Sequence, residues 1–425
     1  MSRRPLSRRA LLGSAAAAAG IAALPRTARA AISPSQRRFL FIYTTGGWDP
    51  TCVFAPLLGL ETVHTEPDAV EALAGNIPYV SSLARPSVDS FFTQYSSDLA
   101  VINGVYVPSI SHGIALRLMT TGNISASGGD WPTRIGAHQA DDFLIPHFLI
   151  GGPGYAGDYG MFVARASSES QLAGLTSGDI LTNTEQPVVL PEPSASELVD
   201  AWLSTTTSAR AGSAETPAQA RLAEGFSTSL DRAGELKTRS SDLSLSGGSA
   251  FSEQLQLGIE VLSRGISRCV TVNHPSRSAL TAWDSHADNN RQQSELFEDL
   301  FSHLLDLQLD LATTPGSVAA TLAEEVVVVV LSEMGRTPLM NSSGGKDHWP
   351  YTSAMAFGPG IIGGQVIGGF DNEEIGYRVD PDSGAIDESG ILLGQETIGA
   401  TLMEVAGMTS SESGYDGELL SAILA

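Results

Sequence analysis

The chain has 425 residues, 42% of them hydrophobic, with a mean hydropathy near zero, so it can bury one large core or two modest ones and is not a disordered polymer. Its formal charge is −23, and because the first thirty residues hold six arginines and no acid, the remainder carries 18 bases against 47 acids, or −29. That balance argues against nucleic acid as a partner and describes a solvated acidic exterior able to attract divalent cations, while two cysteines, Cys52 and Cys269, exclude a disulfide-built fold.

The N-terminus reads as an address. Ser7 to Gly13, SRRALLG, places an arginine pair before an apolar run from Ala10 to Leu24, and Ala28-Arg29-Ala30 offers small residues for cleavage. This resembles a twin-arginine export signal. Residues 1–30 are therefore expected to be a leader read by the twin-arginine export machinery, and residues 31–425 a single domain delivered to the periplasm or beyond. The apolar run falls short of the ~20 residues that cross a bilayer, and no later segment supplies them, so no stable membrane span is expected. A route that passes folded chains implies that any metal is acquired before export.

Further along, short β-rich runs end in glycine, polar or acidic residues. FLFIY (Phe39 to Tyr43) leads into TTGGWDP, LAVINGV (Leu99 to Val105) into PSISHG, FLIGG (Phe148 to Gly152) into a turn, CVTVN (Cys269 to Asn273) towards AWDSHAD, and EVVVVVLS (Glu325 to Ser332) into EMGRTP. Continuous apolar runs rich in valine suit strands buried on both faces. From Ala164 to Gly248 the composition shifts to Ser, Thr, Ala and Glu, which predicts a helical insertion or cap, with PAQARLAEGFSTSLDRAGELK its best helix. Between Asp288 and Thr313, LFEDLFSHLLDLQLDL repeats at helical spacing and predicts an amphipathic helix over the sheet. Asp371 to Gly390 is rich in aspartate but lacks the register of an EF-hand, and reads as a solvated hairpin. The fold expected is α/β, with a largely parallel central sheet and helices on both faces.

Ligands in such folds bind at the carboxyl ends of the strands. The polar groups just past the expected strands are Asp49, His112, Asp284 with His286, Glu333, and Asp347 with His348. Carboxylates and imidazoles are ligands for zinc, manganese or iron, and the oxygens also suit magnesium or calcium. Plainer roles exist: Asp49 as a turn residue before Pro50, Glu333 as an acid at a helix start. His64, His138, His147, His274 and His303 lie outside this set and read as structural.

Several of these segments resemble a known superfamily. ISHGIALRLMTTG (Ile110 to Gly122) has the layout of the alkaline phosphatase and arylsulfatase segment in which a nucleophile opens a helix ending in Thr-Gly, which places His112 at the nucleophile position. DHWPYTSAMAFGPG (Asp347 to Gly360) resembles its late metal histidine followed by a strand and a Gly-Pro turn, implying His348 as a ligand. VVVVVLSEMGRTP matches the strand that carries an Asp-His metal pair, here Glu333-Met334, and GGWDP supplies a first-strand aspartate, Asp49. Taken together with the leader, SHG, WDSHAD and GGKDHWP, the chain resembles the exported domain-of-unknown-function family fifteen-oh-one over residues 39 to 410.

The resemblance implies an alkaline-phosphatase-like fold and a metal-dependent hydrolase of an anionic ester, phosphate or sulfate, of a small molecule or glycan. It implies a divalent metal, zinc before manganese, iron, magnesium or calcium, held among Asp49, Asp284, His286, Glu333, Asp347 and His348. Lys346 and Arg336 are then candidates to neutralise the ester, each with a plainer role as an ion-pair or helix-start contact. Three departures stand out. His112 replaces the serine or threonine that forms a covalent ester, leaving nucleophile, base and ligand roles open. Met334 replaces a ligating histidine, so one of two metal sites is expected to be reduced. His286 follows Asp284 at two residues, a spacing that on a strand points both side chains to one face. The competing expectation is a catalytically reduced protein of this fold acting in cell-surface binding or assembly.

Overall fold

Uninterrupted β-branched and aromatic runs set the strands of the central sheet. A computed structural model describes residues 32–125, 128–165, 193–239, 250–278, 280–415 and 417–425. The expected leader, and residues 166–192 and 240–249 of the expected insertion, lie outside them. The sheet contains β1 (Arg38–Tyr43), β2 (Leu99–Tyr106), β3 (His147–Leu149), β4 (Val163–Arg165), β5 (Cys269–Asn273), β6 (Val326–Leu331), β7 (Tyr351–Phe357) and β8 (Gln365–Gly368). Their order is β8-β2-β7-β6-β1-β5-β3-β4. Strand β7 runs antiparallel to its neighbours β2 and β6, and every other adjacent pair is parallel.

Central strand β1 pairs Phe39 with Cys269 on one side and with Val327 on the other. All of β1 and β6 is buried, as a sheet covered on both faces requires. Alternate side chains of β1 feed two separate cores. Leu40 and Ile42 pack with helices α1 (Pro86–Tyr95), α6 (Phe251–Ser263) and α7 (Asn289–Thr313). Phe39, Phe41 and Tyr43 pack with α2 (His112–Thr121), α3 (Trp131–His138) and α8 (Gln395–Val405). The long expected helix is α7, whose Leu296, Leu300, Leu304, Leu307 and Leu311 turn inward with Phe297 and Phe301. Helices on both faces of a mostly parallel sheet are thus present, as composition and periodicity predicted.

The described part of the Ser/Ala-rich segment forms two helices, α4 (Pro193–Gly212) and α5 (Pro217–Arg239), packed on each other. Arg232 ties α5 to the body through the Ala140 carbonyl and Asp141. In the 371–390 segment the aspartates are spent on turns. Asp371 accepts from the backbone of Glu373 and Ile375, Asp380 from Asp382, and Asp387 from Ser389, and Arg378–Val379 pairs with Ile391–Leu392. Cys52 and Cys269 are free and sit in different cores on opposite faces of the sheet. Among the described residues no helix is long and apolar enough to cross a membrane.

His147 shows how the core treats an imidazole. It is fully buried at the start of β3, with Nδ1 2.8 Å from Thr133 Oγ1 and Nε2 2.9 Å from Thr271 Oγ1. Burial pushes it down from 6.5 to about 4. The unfolded chain then binds the extra proton between those two values, so stability is full above pH 6.5 and falls as pH drops towards 4, by roughly 3 kcal/mol. In urea unfolding at pH 7.5 and pH 4, His147→Gln is expected to lose less stability than wild type by about that amount; equal losses would remove this assignment.

Candidate metal centre

Four segments bring side chains to the carboxyl edge of the sheet. After β2 the chain turns and opens α2 at His112, and after β6 come Ser332 and Glu333. Beyond β5, the loop before α7 carries Asp284 and His286. Because β7 is antiparallel, its amino end meets the same edge, and His348 just before it is held by a short pairing of His348 with Arg336 and Trp349 with Gly335. The glycine pair of GGKDHWP makes this possible. Gly344 lies at φ +68°, and a Cβ on Gly345 would overlap the backbone of His286.

The side chains converge on a single carboxylate oxygen. Asp284 Oδ1 lies 3.4 Å from His112 Nε2, 3.1 Å from His286 Nε2 and 3.1 Å from His348 Nε2. The other ring nitrogens all turn outward to acceptors. His112 Nδ1 donates to Glu333 Oε1 at 2.7 Å, His286 Nδ1 to Asp347 Oδ1 at 2.9 Å, and His348 Nδ1 to the Ile110 carbonyl at 2.6 Å. In its neutral form each ring therefore carries its proton on Nδ1 and turns the Nε2 lone pair inward. Nε2 of His286 and Nε2 of His348 then face each other at 2.9 Å. Two lone pairs at that distance repel unless a proton or a cation lies between them.

The donor set fits a metal ion. His112 Nε2 is buried, and at 3.4 Å its approach to Asp284 Oδ1 is too loose for a well-formed hydrogen bond. The ligand atoms of His112, Asp284 and His348 lie within 4.8 Å of one another. The contacts to Asp284 are close to the ~3.3 Å edge of a tetrahedron drawn around zinc at ordinary bond lengths. Imidazoles anchored through Nδ1 by a carboxylate or carbonyl are the usual supporting arrangement. Without an ion, Asp284 and then Glu333 push His112 up to about 9, so a proton on Nε2 takes the place that an ion would fill. Burial pushes Asp284 up, but hydrogen bonds from His112 and Arg336, the Arg336 charge and His348 outweigh it and hold the carboxyl well below the usual range. The hydrogen bond from His286 lowers Asp347.

The other expected residues fall into supporting positions. Asp49 does not reach the cluster: one oxygen accepts from Thr51 N and Oγ1, the other from Asn289 Nδ2 and Lys346 Nζ. Its place at the end of the central strand is right, but its lone pairs are taken. Glu333 is buried and grips His112 and the Gly46 amide, so it fixes a ring that would face an ion. Asp347 does the same for His286. Lys346 and Arg336, expected to meet an ester, are fully buried. Lys346 pairs with Asp49, and Arg336 binds Asp284 Oδ1 at 2.7 Å and the carbonyls of Gly46, Gly47 and Lys346. Met334 is core, and Trp48 is walled in by Phe54 and Phe297.

Sequence reasoning missed Gln293, Asn289 and the Ile110 carbonyl. Gln293 joins the Asp49 amide, the Trp283 carbonyl and Ser285 Oγ, tying two site loops to α7. The amide-rich NNRQQ that opens α7 directly after WDSHAD was the available signal. A second group, His274, Asp299 and His303, looks similar but differs chemically. Trp283 Nε1 donates to His274 Nδ1, so the His274 proton sits on Nε2 and is given to Asp299 at 3.1 Å. Burial lowers His274, which stays neutral and offers an ion no lone pair.

Fold and site together define a mostly parallel α/β protein with a candidate histidine-aspartate centre at its carboxyl edge. The model of the family described as "Protein of unknown function (DUF1501)" matches residues 37–386, and the chain belongs to that family. Among curated proteins none matches significantly. Among solved structures the chain is similar to the PsFucS1 sulfatase from Pseudoalteromonas sp., with 11% identity over 99% of this chain and 76% of that one at a TM-score of 0.40. It is similar to Ps i-CgsB in complex with k-i-k-neocarrahexaose, with 10% identity over 90% and 74% at 0.40. It is also similar to the phosphonate monoester hydrolase of Agrobacterium radiobacter, with 11% identity over 88% and 74% at 0.33.

If Glu333 acts through His112, Glu333→Gln should weaken divalent-metal affinity by about 10- to 100-fold, the usual cost of losing such a support, with an unchanged circular dichroism spectrum. Competition against a chromogenic chelator measures this, and unaltered affinity would detach Glu333 from the centre.

Proposed function

We propose that the protein is an exported, metal-dependent hydrolase of a phosphate or sulfate ester of a small molecule or glycan. One observation carries the reading: three imidazole Nε2 atoms converge on Asp284 Oδ1 while each Nδ1 is spent on an outward acceptor. Zinc suits these nitrogen and oxygen donors best, with manganese or iron next and magnesium or calcium less suited. Held by His112, Asp284 and His348, such an ion would polarise the ester and acidify water.

The chain's own residues supply the rest. Glu333 keeps His112 in its Nδ1–H form. Asp347 does the same for His286, whose Nε2 at the mouth of the cluster is positioned to take a proton from the attacking water and return it to the leaving oxygen. His112, which cannot form the covalent ester of a hydroxyl, is the first residue of α2, so water is taken as the attacking group. Lys346 and Arg336 are buried and engaged, so neither is free to neutralise the anionic ester, and a bound ion would supply that charge. The arginine pair of the leader and the small residues at Ala28-Arg29-Ala30 support export.

Elemental analysis of purified protein is expected to find a bound transition metal that His348→Ala loses. His286→Ala should keep the ion yet lose about 10²- to 10⁴-fold in turnover of nitrophenyl phosphate or sulfate, the range of general acid–base catalysis. Ion-free wild type, indifferent to chelator, would sink the proposal. The burial of both expected cations favours one second reading, a binding or surface-assembly protein. A fully loaded wild type silent on a panel of phosphate, phosphonate and sulfate esters would favour it.

A further inference from the structure

The helix hairpin of α4 and α5 exposes a cluster of large apolar side chains. On α4, Leu198, Val199 and Trp202 are 72%, 51% and 63% exposed, and on α5, Leu222 and Phe226 are 77% and 48% exposed. Spacings of three and four residues place such side chains along one stripe of a helix. None of them anchors the hairpin. It meets the body through Arg232, set over the Phe162 ring and paired with Asp141, through buried Leu236, and where Gly225 leaves room for Met161. Between the two helices lies a groove of about 680 Å³ whose lining includes Thr207, Arg210, Leu222, Ala223 and Phe226.

Clustered exposed apolar surface marks an interaction site, and charge says which partner fits it. Beyond the first thirty residues the chain carries −29, so a second copy is repelled by most of its acidic exterior. Residues 193–239 are nearly neutral, with six acids and five bases. Their signs are also separated: Glu197 and Asp200 lie near the start of α4, whereas Arg210 and Arg221 flank the turn that joins the helices. An antiparallel two-fold sets the arginines of one hairpin against the acids of the other. The same surface offers a protruding indole and a groove, as a self-complementary contact requires. Two helices about 30 Å long, side by side, cover roughly 600 Å² on each copy, about 1,200 Å² in all, which reaches the range of stable interfaces.

We propose that this face is the interface of a symmetric homodimer, a four-helix bundle in which Trp202 of each copy fills the groove beside Leu222 and Phe226 of the other. A buried tryptophan in a partner's groove is the kind of residue that dominates an interface. No residue of the hairpin belongs to the histidine cluster, so the proposal stands whether or not that cluster holds an ion.

Sedimentation equilibrium of the purified protein over a concentration series tests it. Wild type is expected to dimerise, and Trp202→Glu to raise the dimer dissociation constant about 30-fold or more with an unchanged circular dichroism spectrum. Asp200→Arg should weaken the dimer, and Asp200→Arg combined with Arg221→Asp should restore it, a rescue that two unrelated surface positions would not show. A monomeric wild type overturns the proposal, including one whose apolar face is covered by residues 166–192 of the same chain. A dimer that neither Trp202→Glu nor Asp200→Arg weakens overturns it too, because its interface lies elsewhere. Disruption by Asp200→Arg that the double variant fails to rescue overturns the antiparallel arrangement.

Discussion

Three imidazoles crowd one carboxylate with their lone pairs inward, and the closest pair, on His286 and His348, stands 2.9 Å apart. That arrangement is unfavourable on its own, because like lone pairs repel and Asp284 adds negative charge. It persists because each ring is clamped from behind: His112 by Glu333, His286 by Asp347, His348 by the Ile110 carbonyl. The rest of the fold serves those clamps. Parallel strands deliver Glu333 and the His112 helix to one edge, and the single antiparallel strand delivers His348 from the opposite chain direction.

A layer of buried polar residues fixes the loops that carry the cluster. Gln293 ties the loops after β1 and β5 to α7, and Arg336 stitches Gly46, Gly47 and Lys346 to Asp284. Buried ions of this kind lose solvation that only close pairing offsets, so they are weak evidence of stability and stronger evidence of a required geometry. The same accounting separates the two histidine groups. His274 accepts a hydrogen bond from Trp283 and donates one to Asp299, which completes a local network, whereas His286 and His348 set Nε2 against Nε2 and stay electrostatically incomplete.

Much of the fold was legible because burial leaves a local mark. A valine run buried on both faces, FLFIY at the central strand, and leucines at helical spacing between Asp288 and Thr313 each declare their element. The positions of Asp284, His286, Glu333 and His348 after or beside strand ends were legible for the same reason. Which atoms those residues offer was not. Asp49, Glu333 and Asp347 have the chemistry of ligands, yet one is consumed by Lys346 and the other two stand behind histidines. Lys346 and Arg336 look like surface cations in a chain with two lysines, and both are fully buried.

Residue order by itself determined the α/β class, the strand edges where polar groups collect, the family, and the histidine that opens α2. These depend on periodicity and on chemical identity, which are written locally. The tertiary structure decided which nitrogen of each histidine faces inward, which carboxylate joins the cluster and which supports it, and where the two buried cations end. Those outcomes depend on hydrogen-bond partners sixty to more than two hundred residues away, such as Glu333 for His112 and Asp347 for His286, and a partner that distant leaves no pattern in the sequence around either residue.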